Sequence, residues 1–359
     1  MALNASKAVE KALFDTWSRG VSLLGLVTDK GPLARGGDSY DLPFRSAAFT
    51  VNTSEVAAAA ATTLTGNAVT VNRPKFVNQA MTMAQQAQLL GGDGAFAEEV
   101  AKAAGGDLIN SLERDLIEYL IAEIAGGGGI SAALHSNVAA DAVASGDVND
   151  LEAAVREQDG IAANAGLFWL CSPRALASIK SVNGYGAQVQ STPEQMKIGL
   201  PMGGMLNGMP IYLHNGVPGA VNRYSVTCAS SNIATNVCTA TFAVPHGIVA
   251  GQQIYTTGFT AGNVLVTAPA TVTSTTATTV VFPQTAANGA NGAGTIISAS
   301  AMAMLCHGPW ITFATDGAIP SVKMIGREGN AGDLLQLFHH FGRGALPGAA
   351  GVLHAPDGV

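Results

Sequence analysis

From Tyr224 through Thr315 the chain carries not one Asp, Glu, Lys or Arg. The stretch is rich in Thr, Val, Ala and Gly and has no helical periodicity. VCTATFAV, QQIYTTGF, NVLVTA, ATVTST and TTVVFP are instead short runs of β-favouring residues separated by turn residues. Strands so poor in charge would aggregate through open edges, so the segment must close on itself or dock on neighbours. Residues 222–300 are therefore expected to form an all-β barrel or sandwich of their own, inserted into a different framework.

That framework is α+β. The clearest helical pattern runs over residues 107–125, where Leu108, Ile109, Leu112, Leu116, Ile117, Leu120, Ile121 and Ile124 recur at three and four residues. Glu113, Arg114, Asp115, Glu118 and Glu123 are read as its other, solvated or intersubunit face. Asp107 fits an N-cap and Gly126–Gly129 a helix stop. A second helical pattern at 95–104 is either separate or joined to the first through a bend at Gly105-Gly106. Residues 3–17 read as a short amphipathic helix, with Leu3, Val9, Leu13, Phe14 and Trp17 on one stripe.

Tyr40, Leu42 and Phe44, then Phe49 and Val51, alternate as a strand does, and NAVTVN at 67–72 is a second strand candidate. An Ala/Thr-rich segment at 56–65 lies between them, so the pair can form a long two-stranded excursion. After residue 147, helix and strand alternate: DVNDLEAAVREQ is helical, GLFWLCSP is a buried strand, and PRALASIKSV is a helix with Pro173 at its start. MPIYLHN is a strand that follows a Gly-rich loop, and PWITFAT, PSVKMIG and LLQLFHHFG are strands that return to the first core.

Composition narrows the function. Charged residues make up only 12% of 359 residues while apolar ones reach 48%, so much of the surface calls for a cover, most simply other copies of the chain. A net charge of −7 opposes wrapping nucleic acid by phosphate neutralisation. Neither a signal-peptide core nor an apolar run of membrane-spanning length is present.

Motifs for chemistry are missing: no GxxxxGK[ST], HExxH, GxSxG or EF-hand loop occurs. Adjacent His339 and His340 in a strand face opposite sides and cannot easily chelate one metal. His135, His214, His246, His307 and His354 show no ligand spacing, and Pro245-His246-Gly247 reads as a turn. Cys171, Cys228, Cys238 and Cys306 form no CxxC pair and are read as reduced thiols. Cys228 and Cys238 are close enough for hairpin neighbours, though a disulfide would need an oxidising setting. No catalytic, cofactor-binding or metal-binding residue is assigned, and no enzymatic activity or cofactor is expected.

The order of elements resembles the major capsid proteins of tailed bacteriophages, the Hong Kong 97 fold, and more narrowly short-tailed-phage coat proteins with an inserted β-domain. GGDSYDLPFR resembles the start of that family's extended loop, and the helix at 107–125 its spine helix. LFWLCSPRALASIKS followed by GMLNGMPIYLHNGVP resembles its axial-domain strand, helix and strand. GDLLQLFHHFGRGALPGAAGVLHA resembles its closing peripheral strands, with a last small strand after a Gly-rich turn. The resemblance implies an N-terminal arm (1–38), extended loop (39–92), spine helix of the peripheral domain (93–130), axial domain (131–221), inserted β-domain (222–300) and return strands with a C-terminal tail (301–359).

It further implies self-assembly of pentamers and hexamers into an icosahedral shell around packaged double-stranded DNA. The DNA would be touched only indirectly, and a scaffolding protein and a portal would be the other partners. The protein would be made in the host cytoplasm and end in the virion capsid, with no membrane involved. An isopeptide lock would need a lysine in the extended loop. Lys75 is the only one there and lacks a matching partner motif, so a non-covalent lattice is expected. Competing readings are an encapsulin-type nanocompartment and, from a different class, a β-rich secreted hydrolase or adhesin.

Overall fold

The computed structural model describes residues 7, 9–13, 23–29, 39–45, 64–70, 73–90, 94–125, 135–137, 143–157, 166–182, 185–186, 202–219, 223–259, 270–284, 288–290, 292–315, 321–325, 334–346 and 348–356. They divide into two compact units: residues 1–112 with 310–346, and residues 113–309 with 347–359.

In the first unit, Val9 and Leu13 of the N-terminal helix are fully buried. They pack with Met81, Ala97, Val100, Ala101, Ala104 and Leu108 and with Leu335 and Leu337 of a strand. The other stripe residues proposed from the sequence, Leu3, Phe14 and Trp17, lie outside the described residues. Leu334–Ala345 organises the sheet, pairing antiparallel with Ile311–Thr315, Ser321–Ile325 and Arg73–Ala80. Ser39–Arg45 and Leu64–Thr70 pair antiparallel from Ser39↔Thr70 to Arg45↔Leu64, as the two-stranded excursion requires. Phe49, Val51 and most of the Ala/Thr-rich segment are outside the described residues.

The helix Met83–Leu90, in a stretch where the sequence reading placed no helix, starts with a capping box. The Thr82 amide donates to Gln85 Oε1 (2.9 Å) and the Gln85 amide to Thr82 Oγ1 (3.3 Å).

Asp107 is not an N-cap. One helix runs unbroken from Gly94 to Tyr119, and Asp107 is exposed in its middle. Gly105 does not interrupt it. A Cβ there would come within 2.8 Å of Leu13 Cδ1, so the glycine admits the N-terminal helix at close range. Leu108, Leu112, Leu116, Ile117, Leu120 and Ile121 are buried as the periodicity predicts, while Ile109 is half-buried. The helix ends in a wider π-helical turn, Leu120–Ala125.

The second unit is built on a seven-stranded sheet in the order His135–Asn137, Ala350–Pro356, Ser300–His307, Leu167–Cys171, Met209–Leu213, Met202–Leu206, Tyr185–Gly186. Its two central strands, Ser300–His307 and Leu167–Cys171, are buried at every position. Ser145–Arg156 covers it through Val148, Leu151 and Val155, and Gly351 lets Leu151 and Val155 approach the sheet. Pro173 opens the helix Pro173–Ile179, whose Ala175 amide donates to Ser172 Oγ at 3.2 Å.

Two expectations are corrected here. The residues before Met209 form a strand, Met202–Leu206, with an irregular register at Met202/Gly204 instead of a loop. It turns through Asn207 and Gly208, both at positive φ (50° and 79°). The final strand, Ala350–Pro356, pairs with Ser300–His307 and so belongs to this sheet and not to that of Leu334–Ala345. Its in-line apolar residues suit a strand covered on both faces.

Between Ser225 and Ser298 every described strand pairs only with others of the same segment. A four-stranded sheet has the order Ser225–Cys228, Gly294–Ser298, Gln253–Thr257, Ala270–Thr271. A five-stranded sheet has the order Ser274–Thr275, Thr279–Pro283, Val237–Thr241, Ser230–Ala234, Gly289–Ala290. Cys228, Ile254 and Ile296 of the first and Ile233, Cys238, Ala240, Val280 and Phe282 of the second are buried. In both sheets the alternation of buried and exposed positions is that of strands with one covered face. The expected strand NVLVTA lies outside the described residues.

Candidate functional site

Three buried histidines, His214, His246 and His354, are held in structural hydrogen bonds. His214 follows the strand Met209–Leu213, and its ring is fixed from both sides. Nδ1 accepts from the Gly216 amide at 2.8 Å, which leaves the proton on Nε2, 2.7 Å from Glu113 Oε2. Both residues are buried. Glu113 is thus not on a solvated face, contrary to the sequence reading. The signal was available: Glu113 stands three residues before Leu116 and four before Ile117, on the buried stripe.

His246 repeats the device in the β-segment. Its Nδ1 accepts from the Ile248 amide at 3.0 Å and its Nε2 donates to the Thr279 carbonyl at 3.2 Å. The ring is buried against Phe242, and burial holds its pKa below the ordinary histidine value. Residues 245–247, expected as a turn, are an irregular connection between strands that the histidine itself pins. Gly247 at φ 63° fits against Ile121, where a Cβ would come within 2.9 Å of backbone and side-chain atoms. Tyr224 Oη donates to the His246 carbonyl at 2.8 Å.

A third buried polar group joins Gln252, Ser298, Ser300 and His354. Gln252 Nε2 donates to Ser298 Oγ and, at 2.9 Å, to Ser300 Oγ. Ser300 Oγ in turn lies 3.3 Å from His354 Nδ1. With Gln252 Oε1 accepting from the Val249 amide (3.1 Å), this network ties the β-segment to the strands Ser300–His307 and Ala350–Pro356. A serine and a histidine meet here, but in a buried group whose members hold one another, with no exposed hydroxyl for a substrate to reach.

His339 is buried and His340 half-buried on successive positions of Leu334–Ala345, so they do face opposite sides. Among the described residues no cluster of His, Cys, Asp or Glu could hold a metal ion. The four thiols are free and buried. Burial pushes Cys306 and Cys238 up to about 12, and raises Cys171 and Cys228 as well. Thiols so placed stay protonated and make poor nucleophiles. Cys228 and Cys238 are not hairpin neighbours: Cys228 pairs with Gly294 in one sheet and Cys238 with Ile233 and Phe282 in the other. Among the described residues no helix is long and apolar enough to cross a membrane.

The geometry is thus that of an α+β framework with stapled turns and a charge-free β-segment. No family model and no curated protein matches the chain. Solved structures do. The capsid of Ralstonia phage GP4 is 12% identical, with 96% of this chain and 90% of that one covered and a TM-score of 0.50. A chain from Mycobacterium phage Che8 is 11% identical over 93% and 91% (TM-score 0.48). The SrpI encapsulin of Synechococcus elongatus PCC 7942 is 9% identical over 94% and 88% (TM-score 0.46). In fold, the chain is similar to tailed-phage capsid proteins of the Hong Kong 97 type.

Proposed function

We propose that this chain is the major capsid protein of a tailed bacteriophage, assembling as pentamers and hexamers into an icosahedral shell around packaged double-stranded DNA. The observation that carries the reading is the fold likeness to the Ralstonia phage GP4 capsid, which spans nearly the whole of both chains. The low share of charged residues supports it, because a surface so poor in charge suits burial against other copies. The acidic balance fits an inner wall that lets DNA be spooled without sticking.

In this reading the hairpin of Ser39–Arg45 and Leu64–Thr70 is the extended loop and the helix from Gly94 the spine. The first unit corresponds to the peripheral domain, the seven-stranded sheet to the axial domain, and residues 222–300 to an inserted β-domain. The protein acts structurally, without catalysis. It is made in the host cytoplasm, with a scaffolding protein and a portal as further partners.

The test is negative-stain electron microscopy of the purified protein, with size-exclusion chromatography to separate subunits from assemblies. Closed shells, or rings of five and six subunits, are the expected result. A monomer or dimer under all conditions, with or without a scaffolding protein, would overturn the reading. Shells that enclose a protein cargo instead of DNA would identify an encapsulin-type compartment.

A further inference from the structure

The outer face of the five-stranded sheet in the β-segment, part exposed and part half-buried, carries no charged side chain. Antiparallel sheets with one covered face put polar side chains on the wet side, and charged ones such as Lys guard their open edges. Here the inward positions are Ile233, Cys238, Ala240, Val280 and Phe282, and the positions between them point away from that core. Strand register arranges the outward residues in rows. Asn232, Thr239 and Val281 lie side by side, Thr241 is beside Thr279, and Val237 (38% exposed) is beside Pro283. Just past Thr241 the chain continues to Val244, 59% exposed. The face is made of hydroxyls, an amide and methyl groups, and the whole segment supplies no charge to it.

We propose that this face is a contact between copies of the chain. The inference rests on the shell reading and assigns it a surface. The choice of occupant follows from charge. Each copy carries a net charge of −7, so like copies repel wherever their charged surfaces meet. Approach costs least through a patch with no charge to desolvate and none to repel. A basic partner would gain nothing from such a face, and an acidic nucleic acid would find no cation on it.

Size determines how the contact works. Three main strands of five residues, about 17 Å long and spaced about 4.8 Å apart with short flanking strands, offer on the order of 300 Å². A stable pair of proteins needs roughly 800 Å² from each partner. The face is therefore too small to hold a dimer by itself and acts by repetition within a closed lattice, where many weak contacts sum.

The experiment compares wild-type protein with Thr239→Glu and Thr239→Lys, at the centre of the face. Ser181→Glu, at an exposed turn position just past the helix Pro173–Ile179 in the same unit, is the control. Assembled fraction is read by size-exclusion chromatography and electron microscopy, and folding by circular dichroism. Both Thr239 variants should fold normally and lose assembled fraction by about tenfold or more, while the control assembles as wild type does. Should a Thr239 variant fail to fold, Asn232→Lys on the exposed neighbouring strand gives the same reading.

Two results overturn the contact and leave the capsid reading intact. One is shells that tolerate either charge at Thr239 to within about twofold; the other is an equal loss in the control. Wild-type protein that never assembles overturns the capsid reading, and the contact falls with it.

Discussion

His214 serves two partners at once. Its ring accepts the Gly216 amide and donates to Glu113, so both bonds require one tautomer of the neutral ring. His214→Ala takes one hydrogen-bond partner from the buried Glu113 side chain and one from the Gly216 amide together. The loss is about 1–3 kcal/mol for each group left without that partner, and chemical denaturation monitored by circular dichroism should register a lowered midpoint with unchanged slope. His246 makes a related prediction about pH. Its folded-state pKa lies below the ordinary value of 6.5, so below that pH the unfolded chain binds a proton that the folded one refuses. Stability is therefore fully present above about pH 6.5 and falls as pH drops through that value. His246→Asn retains an acceptor for the Ile248 amide in the manner of an Asx turn but cannot titrate. Urea midpoints measured at neutral and mildly acidic pH should differ less for this variant than for wild type.

At the scale of elements, the two adjacent glycines of the long helix act differently. Gly105 is closed in by Leu13, whereas a Cβ on Gly106 would meet nothing within 4 Å. Gly106→Ala should accordingly stabilise the helix by about 1 kcal/mol, and Gly105→Ala should return little or none of that gain because Leu13 must move. Thermal unfolding of the two variants side by side is the measurement. The same pair shows where the sequence could be read and where it could not. The apolar stripe from Leu108 to Ile121 was legible because its period reports a buried face. The part played by Gly105 was not, because a helix-weakening residue and a residue that admits a neighbouring helix look alike until Leu13 is in place. Leu167–Cys171, Met209–Leu213 and Pro173–Ile179 were legible from local signals, the apolar runs of the two strands and Pro173 at the start of the helix. The course of Ala350–Pro356 was not, since pairing with Ser300–His307 is long-range. Glu113 was misread although its spacing put it on the buried stripe, because a carboxylate on a helix is ordinarily solvated and its partner lies 101 residues away.

For the whole molecule the governing quantity is how charge is distributed. The chain holds 25 acidic and 18 basic side chains, and none of them falls between Tyr224 and Thr315. That absence was legible at once, and it implied a closed or covered β-segment before any strand was placed. If copies meet through uncharged surface, their net charge opposes association only at long range, and added salt should weaken that opposition. Raising ionic strength from about 0.01 M to about 0.15 M shortens the screening length from about 30 Å to about 8 Å. Light scattering at fixed protein concentration should therefore show assembly favoured by salt across that range. A lattice locked by charge pairs between subunits behaves oppositely, because salt weakens attraction between exposed ions as readily as repulsion. Assembly that falls as salt rises would thus place the decisive contacts on the charged parts of the chain and away from the β-segment, whatever the shells look like in the microscope.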